Sequence, residues 1–199
     1  ILNKDAWIAG LQTEYILNEP VAETHMMGIR VKPFALSLFL QPPAQDFHNQ
    51  LVDMDLIWGN WTHELREQLF ELADVEQKVQ HLEAVLTKRL LQRSHSLDCI
   101  CYAVDMITHC KGAISVRQLS DDIGMSHKHL IHQFKQLVGV SPKAFSKVMR
   151  FQHVLMSIDP SQTIDWTMIA IQSDYYDQSH FNKDLIAFTG MSPTQYMAY

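Results

Sequence analysis

LSDDIGMSHKHLIHQFKQLVGVSPKAF at residues 119–145 and IAIQSDYYDQSHFNKDLIAFTGMSPTQY at 169–196 carry one pattern twice. At a shift of 51, Leu130 falls on Phe181, Phe134 on Leu185, Gly139 on Gly190, Ser141-Pro142 on Ser192-Pro193 and Phe145 on Tyr196. Leu119 and Ser120 fall on Ile169 and Ala170 at a shift of 50, so the second copy has one extra residue in its turn. Each copy reads as helix, tight turn, helix.

Local signals mark the seams. Ser115 and Ser126 suit N-caps, Gly124 supplies the positive φ of a turn, and Ser141-Pro142 is an N-cap followed by proline at the first helical position. A linker helix is predicted over 142–157, ended by Asp159-Pro160-Ser161, with Thr163 or Asp165 opening the second copy. In the helix after Ser126, Leu130, Phe134 and Leu137 recur at i, i+4, i+7 and are predicted to pack on Leu119 and Ile123. His127, Lys128, Ile131, His132 and Lys135 are then left on the open face. A short polar face at the start of the second helix is where this motif reads base edges in a major groove, and two copies in one chain reach two grooves. Lysine can donate to guanine, histidine can donate or accept, and isoleucine can meet a thymine methyl. His127, Lys135, Lys143 and Lys147 are better placed for phosphates. In the second copy the packing residues are Phe181, Leu185 and Phe188, and the open face shows Gln178, Ser179, Asn182 and Lys183. Asp177 and Asp184 are expected to flank that face and repel phosphates.

The net charge of −6 conceals a segregation. Residues 1–96 hold 8 Lys/Arg against 13 Asp/Glu. Residues 111–150 hold Lys111, Arg117, Lys128, Lys135, Lys143, Lys147 and Arg150 against only Asp121 and Asp122. Residues 159–199 hold Lys183 against five aspartates. The basic patch coincides with the first copy, which is therefore expected to supply affinity, and the second to supply specificity.

At these residues the chain resembles the AraC/XylS family of bacterial transcription regulators. DYYDQSHFNKDLIAFTGMSPTQY is similar to the family's signature segment, and the likeness covers about residues 98–199. It implies two helix-turn-helix units (115–139 and 163–190) joined by the linker helix, in a seven-helix, mainly α module. It also implies Lys128, Ile131 and His132, then Gln178, Ser179, Asn182 and Lys183, as base readers. Implied partners are double-stranded DNA, RNA polymerase and a small-molecule effector acting through the N-terminal part. Where the family usually has glycine this chain has Asp174, expected to take a left-handed turn with some strain. His132 stands where arginine is common.

Residues 1–93 read as a small α+β segment, strands then helices, resembling part of a sensor domain through MGIRVKPFALSLFL and DLIWGNWTHELREQLFELAD. Strands are expected over 6–17 and 25–32 around the turn-prone Asn18-Glu19-Pro20. Two strands are marginal alone, which favours further strands upstream of Ile1. A short helix from Phe34 stops at Pro42-Pro43, another runs over 62–73, and Asp74 with Gln77 opens a third. The third carries Val75, Val79, Leu82, Leu86 and Leu90 on one stripe. A homodimer seam and a small helical core both fit, and the core is favoured because under three heptads make a weak coiled coil. Residues 93–97 are the expected boundary.

The remaining signals are weak. His127 and His129 diverge on a helix, so no metal site is expected, and Cys99, Cys101 and Cys110 suit buried thiols better than a bridge. Trp58 and Trp61 read as core or seam before ligand pocket. No nucleophile motif or phosphate loop is present, so neither an enzyme nor a cofactor is expected. The longest apolar stretch, residues 34–40, is too short for a bilayer, and the chain is expected to be cytoplasmic. The competing function class is a protein-interaction module whose helix-turn-helix units no longer grip DNA.

Overall fold

The computed structural model describes residues 6–17, 26–91, 97–158 and 164–197. The Asn18-Glu19-Pro20 turn, residues 93–96 of the expected boundary, Asp159-Pro160-Ser161 and Thr163 lie outside the described residues. Among the described residues the fold is mainly α: eleven α-helices and one two-stranded sheet.

Seven of the helices follow residue 97. They are α5 (Asp98–His109), α6 (Val116–Ile123), α7 (His127–Val138), α8 (Pro142–Ser157), α9 (Trp166–Gln172), α10 (Gln178–Thr189) and α11 (Pro193–Met197). Side-chain caps start α6 to α11, those at Ser115, Ser126, Ser141 and Asp165 as expected, while α5 begins after Leu97 without one. The hydroxyls of Ser115, Ser126 and Ser141 accept from the backbone N–H of Gln118, His129 and Ala144 at 3.0, 3.3 and 3.2 Å, each satisfying a donor the helix leaves orphaned. Asp165 and Asp177 do the same in the second copy, accepting from Met168 at 3.1 Å and His180 at 2.7 Å. Ser192 and Gln195 cap α11 reciprocally, at 3.3 and 2.8 Å.

The two turns are built alike up to one point. Gly124 (φ 72) and Asp174 (φ 62) both adopt the left-handed conformation. The next residues, Met125 and Tyr175, donate back to the carbonyls of Ser120 and Ala170, 3.1 and 3.0 Å away. The caps Ser126 and Asp177 follow, so the extra residue of the second copy is Tyr176, which is 93% exposed.

Two cores form around these helices, and α8 belongs to both. The first joins Ile100, Val104 and Ile107 of α5 to Leu119, Leu130, Phe134 and Phe145. The second joins Phe151 and Val154 to Ala170, Tyr175, Phe181 and Leu185. The ring of Phe134 meets that of Phe145 at 5.6 Å, while Phe151 stacks on Phe188 at 4.6 Å. Phe145 and Phe151 thus serve different cores from one rigid rod. Removing either ring would cost about 3–5 kcal/mol.

The N-terminal part departs from expectation. Strand β1 (Trp7–Ala9) pairs antiparallel with β2 (Leu51–Asp53), with Ile8 opposite Val52, while residues 26–32 form no strand. Residues 26–30 are exposed and have no neighbouring strand edge, and β propensity is realised only against a pairing partner. Chain direction is set by contact: a Cβ on Gly10 would sit 1.9 Å from the Phe47 carbonyl oxygen. A 3-10 turn (Pro33–Ala35) leads into α1 (Leu36–Phe39), and a second (Ala44–Phe47) follows Pro42-Pro43.

Then come α2 (Asp55–Trp58), α3 (Trp61–Glu71) and α4 (Val75–Leu91), the last capped by Asp74, whose Oδ1 accepts from Gln77 N–H at 2.8 Å. The α4 stripe is only partly a core. Leu82 is buried, but Val75 is 68% exposed, and Val79 and Leu90 are exposed too. Trp58 and Trp61 form an edge-to-face pair under the Arg89 guanidinium, 4.5 and 4.1 Å from the two ring centroids, which ties α4 to α2 and α3.

Both 3-10 turns and α1 pack on α7, and Leu11 and Phe34 lean on the first core. Leu40, Ala44 and Phe47 are buried.

Gly112 marks the tightest join in the helical part. Its φ is 81°, and a Cβ there would lie 2.1 Å from the Ser146 carbonyl oxygen of α8. Gly112→Ala is expected to lower stability by about 2 kcal/mol or more, combining left-handed strain with a backbone clash. Thermal unfolding followed by circular dichroism checks this; an unchanged midpoint would contradict the packing described.

Candidate nucleic-acid interface

The first candidate surface is the outer face of α7. Leu130 and Phe134 are fully buried, which turns His127, Lys128, His132 and Lys135 outward, all exposed, with Ile131 half-buried beside them. The Ser126 hydroxyl fixes the first turn, whose remaining N–H groups and dipole favour an anion. Lys143 is exposed near the start of α8. These residues combine donors suited to base edges with cations suited to phosphate oxygens.

The second surface is the outer face of α10. Gln178, Ser179 and Lys183 are exposed. Gln178 is held at one end, its Oε1 accepting from the Thr167 hydroxyl at 3.2 Å. Asn182 is half-buried, and its Oδ1 is enclosed without a hydrogen-bond partner. It is the least accessible of the four. The other end of α10 is also tied down: Tyr15 N–H donates to the Ala187 carbonyl at 3.0 Å, and the Tyr15 ring lies 3.1 Å from the position a Cβ on Gly190 would take.

Asp184 does not flank this surface. It is 3% exposed, and its Oδ1 lies 2.8 Å from Lys147 Nζ on α8. The reason was present in the spacing: residues 181, 184, 185 and 188 share one helical stripe, and three of them are apolar. Asp177 is exposed as expected, with one carboxylate oxygen engaged as the helix cap. Lys147, expected beside phosphates, directs its ammonium at Asp184 and lies 5.4 Å from the Phe188 ring centroid, leaving the side chain 42% exposed.

Arg150, one turn further along α8, was legible in the sequence only as part of a charge count. Its Nη1 donates to the Asp174 carbonyl at 3.1 Å and its Nη2 to the Gly112 carbonyl at 3.2 Å. Its guanidinium stands 5.3 Å from the Tyr175 ring centroid. Burial, reinforced by the Asp184 carboxylate, pushes the Tyr175 hydroxyl above its ordinary range.

Two outcomes follow for stability. Lys147→Met leaves a buried carboxylate without its cation and should cost about 1–3 kcal/mol, less than a fully buried pair because the ammonium is partly solvated. Lys147→Met with Asp184→Leu should recover most of that loss in a urea titration, and failure to recover would mean that the pair is not the source. Tyr175 stays neutral in the fold at a pH where the unfolded chain ionises it, so its contribution is complete below about pH 10 and declines above it. Tyr175→Phe should therefore flatten the alkaline limb of a stability-versus-pH curve; an identical limb would contradict this.

Comparison with known proteins bears on the same region. Residues 119–199 match the family model described as a helix-turn-helix domain. No curated protein and no solved structure matches the chain. Among the described residues no helix is long and apolar enough to cross a membrane. The matched region takes in α7 through α11, both candidate surfaces included, and most of α6. The match spans under half of the chain, and over those residues the chain is similar to a helix-turn-helix domain.

Proposed function

We propose that the chain is a sequence-specific DNA-binding transcription regulator of the AraC/XylS type, which lays α7 and α10 in successive major grooves. The observation that carries this reading is the pair of capped helices with exposed polar N-terminal faces, both anchored on α8. Lys128, Ile131 and His132 read bases in the first groove, and Gln178, Ser179, Asn182 and Lys183 in the second. His127, Lys135 and Lys143 meet phosphates, and Lys147 contributes there to the extent that its pairing with Asp184 allows. Affinity comes mainly from the first unit, where the basic residues concentrate.

On this reading residues 98–199 are the DNA-binding part, and residues 1–93 are part of a sensor that passes an effector signal to it. RNA polymerase is a second partner, the working compartment is the cytoplasm, and a homodimer would use the exposed α4 stripe.

One observation favours a different reading. Tyr176 protrudes beside the exposed carboxylates of Asp174 and Asp177, a surface better suited to a protein than to phosphate. The alternative is accordingly a protein-interaction module.

Selection of bound duplexes from a random pool, followed by gel shifts, separates the two. Lys128→Ala should weaken the selected site by about 1–3 kcal/mol and relax preference at one position. Lys135→Ala should weaken all sequences alike and reduce the salt slope by about 1. Protection should fall in two segments about 10 bp apart, one helical turn. Uniform absence of binding at low salt would overturn the regulator reading in favour of the interaction module.

A further inference from the structure

We infer that Arg150 is a positioning residue that sets the spacing and relative rotation of the two reading helices, and so the separation of half-sites the protein accepts. The inference rests on the DNA-binding reading above and adds to it which side chain holds the geometry.

Arg150 is the place where one side chain grips a backbone from each half. Nη2 binds the carbonyl of Gly112, in the loop that leaves α5 and reaches the cap of α6 three residues later. Nη1 binds the carbonyl of Asp174, in the turn between α9 and α10. Neither carbonyl is engaged within a helix, and a charged donor to a backbone carbonyl is stronger than a neutral one. The planar fork fixes direction as well as distance, which a flexible ammonium does not. Tyr175 lies against the guanidinium, and Arg150 Nε is enclosed without a hydrogen-bond partner, so packing and the two Nη bonds hold the side chain. The side chain is therefore restrained from several sides.

The rest of the join needs this help. The second core reaches α8 through Phe151 and Val154, apolar contacts that resist separation more than rotation. Lys147 fixes the middle of α10 through Asp184, on the same helix as Arg150 but facing only the second half. Arg150 alone of these contacts also reaches the α5–α6 loop.

A rigid joint turns the second half-site contact into an intramolecular event of high effective concentration, but only at matching separation. The wild-type chain should therefore lose about tenfold or more in affinity when one base pair is inserted between the selected half-sites. In Arg150→Met that penalty should fall to about threefold or less, with lower affinity at the original spacing and unchanged affinity for the first half-site alone. Arg150→Lys, which keeps the charge but not the fork, should fall between.

Residual dipolar couplings of the full chain supply a readout without DNA. In the wild type α7 and α10 should report one alignment tensor, and in Arg150→Met two. A variant that keeps one tensor and the wild-type spacing penalty would overturn the inference. So would a loss of first-half-site affinity as large as the loss at the full site, because it would show general unfolding. If the wild type binds no duplex, the function fails, while the tensors still decide whether Arg150 sets the geometry.

Discussion

One helix placed in two cores governs the arrangement of this molecule. Phe145 and Phe151 leave α8 less than two turns apart, and each enters a different cluster of buried side chains. A helix of 16 residues with intact backbone hydrogen bonds bends little over that distance, so the faces of α7 and α10 are related through it. Polar contacts then refine what apolar packing leaves loose. The ammonium of Lys147 and the guanidinium of Arg150 both project from α8 toward the second half, one to a buried carboxylate and one to a backbone carbonyl.

The same contacts change the electrostatic picture. Counted along the sequence, the second half is acidic, with five aspartates after residue 158. In the fold three of these carboxylates do different work. Asp184 is inside and faces a lysine, while Asp165 and Asp177 cap helices with their oxygens directed at backbone N–H groups. The repulsion that α10 would exert on a phosphate is smaller than the count suggests, because a buried, paired charge projects little field into solvent. The cost falls on Lys147, part of whose charge is committed internally.

The N-terminal part is tied to both halves. Ala44 and Phe47 close over α7, and a Cβ on Gly139 would come within 2.9 Å of the Ala44 carbonyl oxygen, leaving no room for a larger residue at that helix end. Further back in the chain, Thr13 and Asn49 exchange side-chain hydrogen bonds, and two residues later Tyr15 caps α10. Any displacement of residues 10–15 is thereby felt at the second candidate surface, through a backbone hydrogen bond.

Sequence alone determined what depends on neighbours a few residues away. The repeat, the serine caps, the left-handed turn at Gly124, the full extent of α8 and the inward stripes of α7 and α10 all follow from local hydrogen bonding and helical periodicity. The strain expected at Asp174 is present as a φ of 62°. Tertiary structure decided whatever joins distant segments. β1 found its partner more than forty residues away at Leu51–Asp53, residues 26–32 found none, and the α4 stripe was buried at Leu82 and half-buried at Leu86 but left exposed at Val75, Val79 and Leu90. Asp184 became an internal charge only because α8 brought Lys147 to it, and Arg150 became a bridge only because two carbonyls, at residues 112 and 174, converged on its fork. A periodic pattern states which side of a helix faces inward, but not which group waits there, and that is a matter of packing between elements that the chain order leaves open.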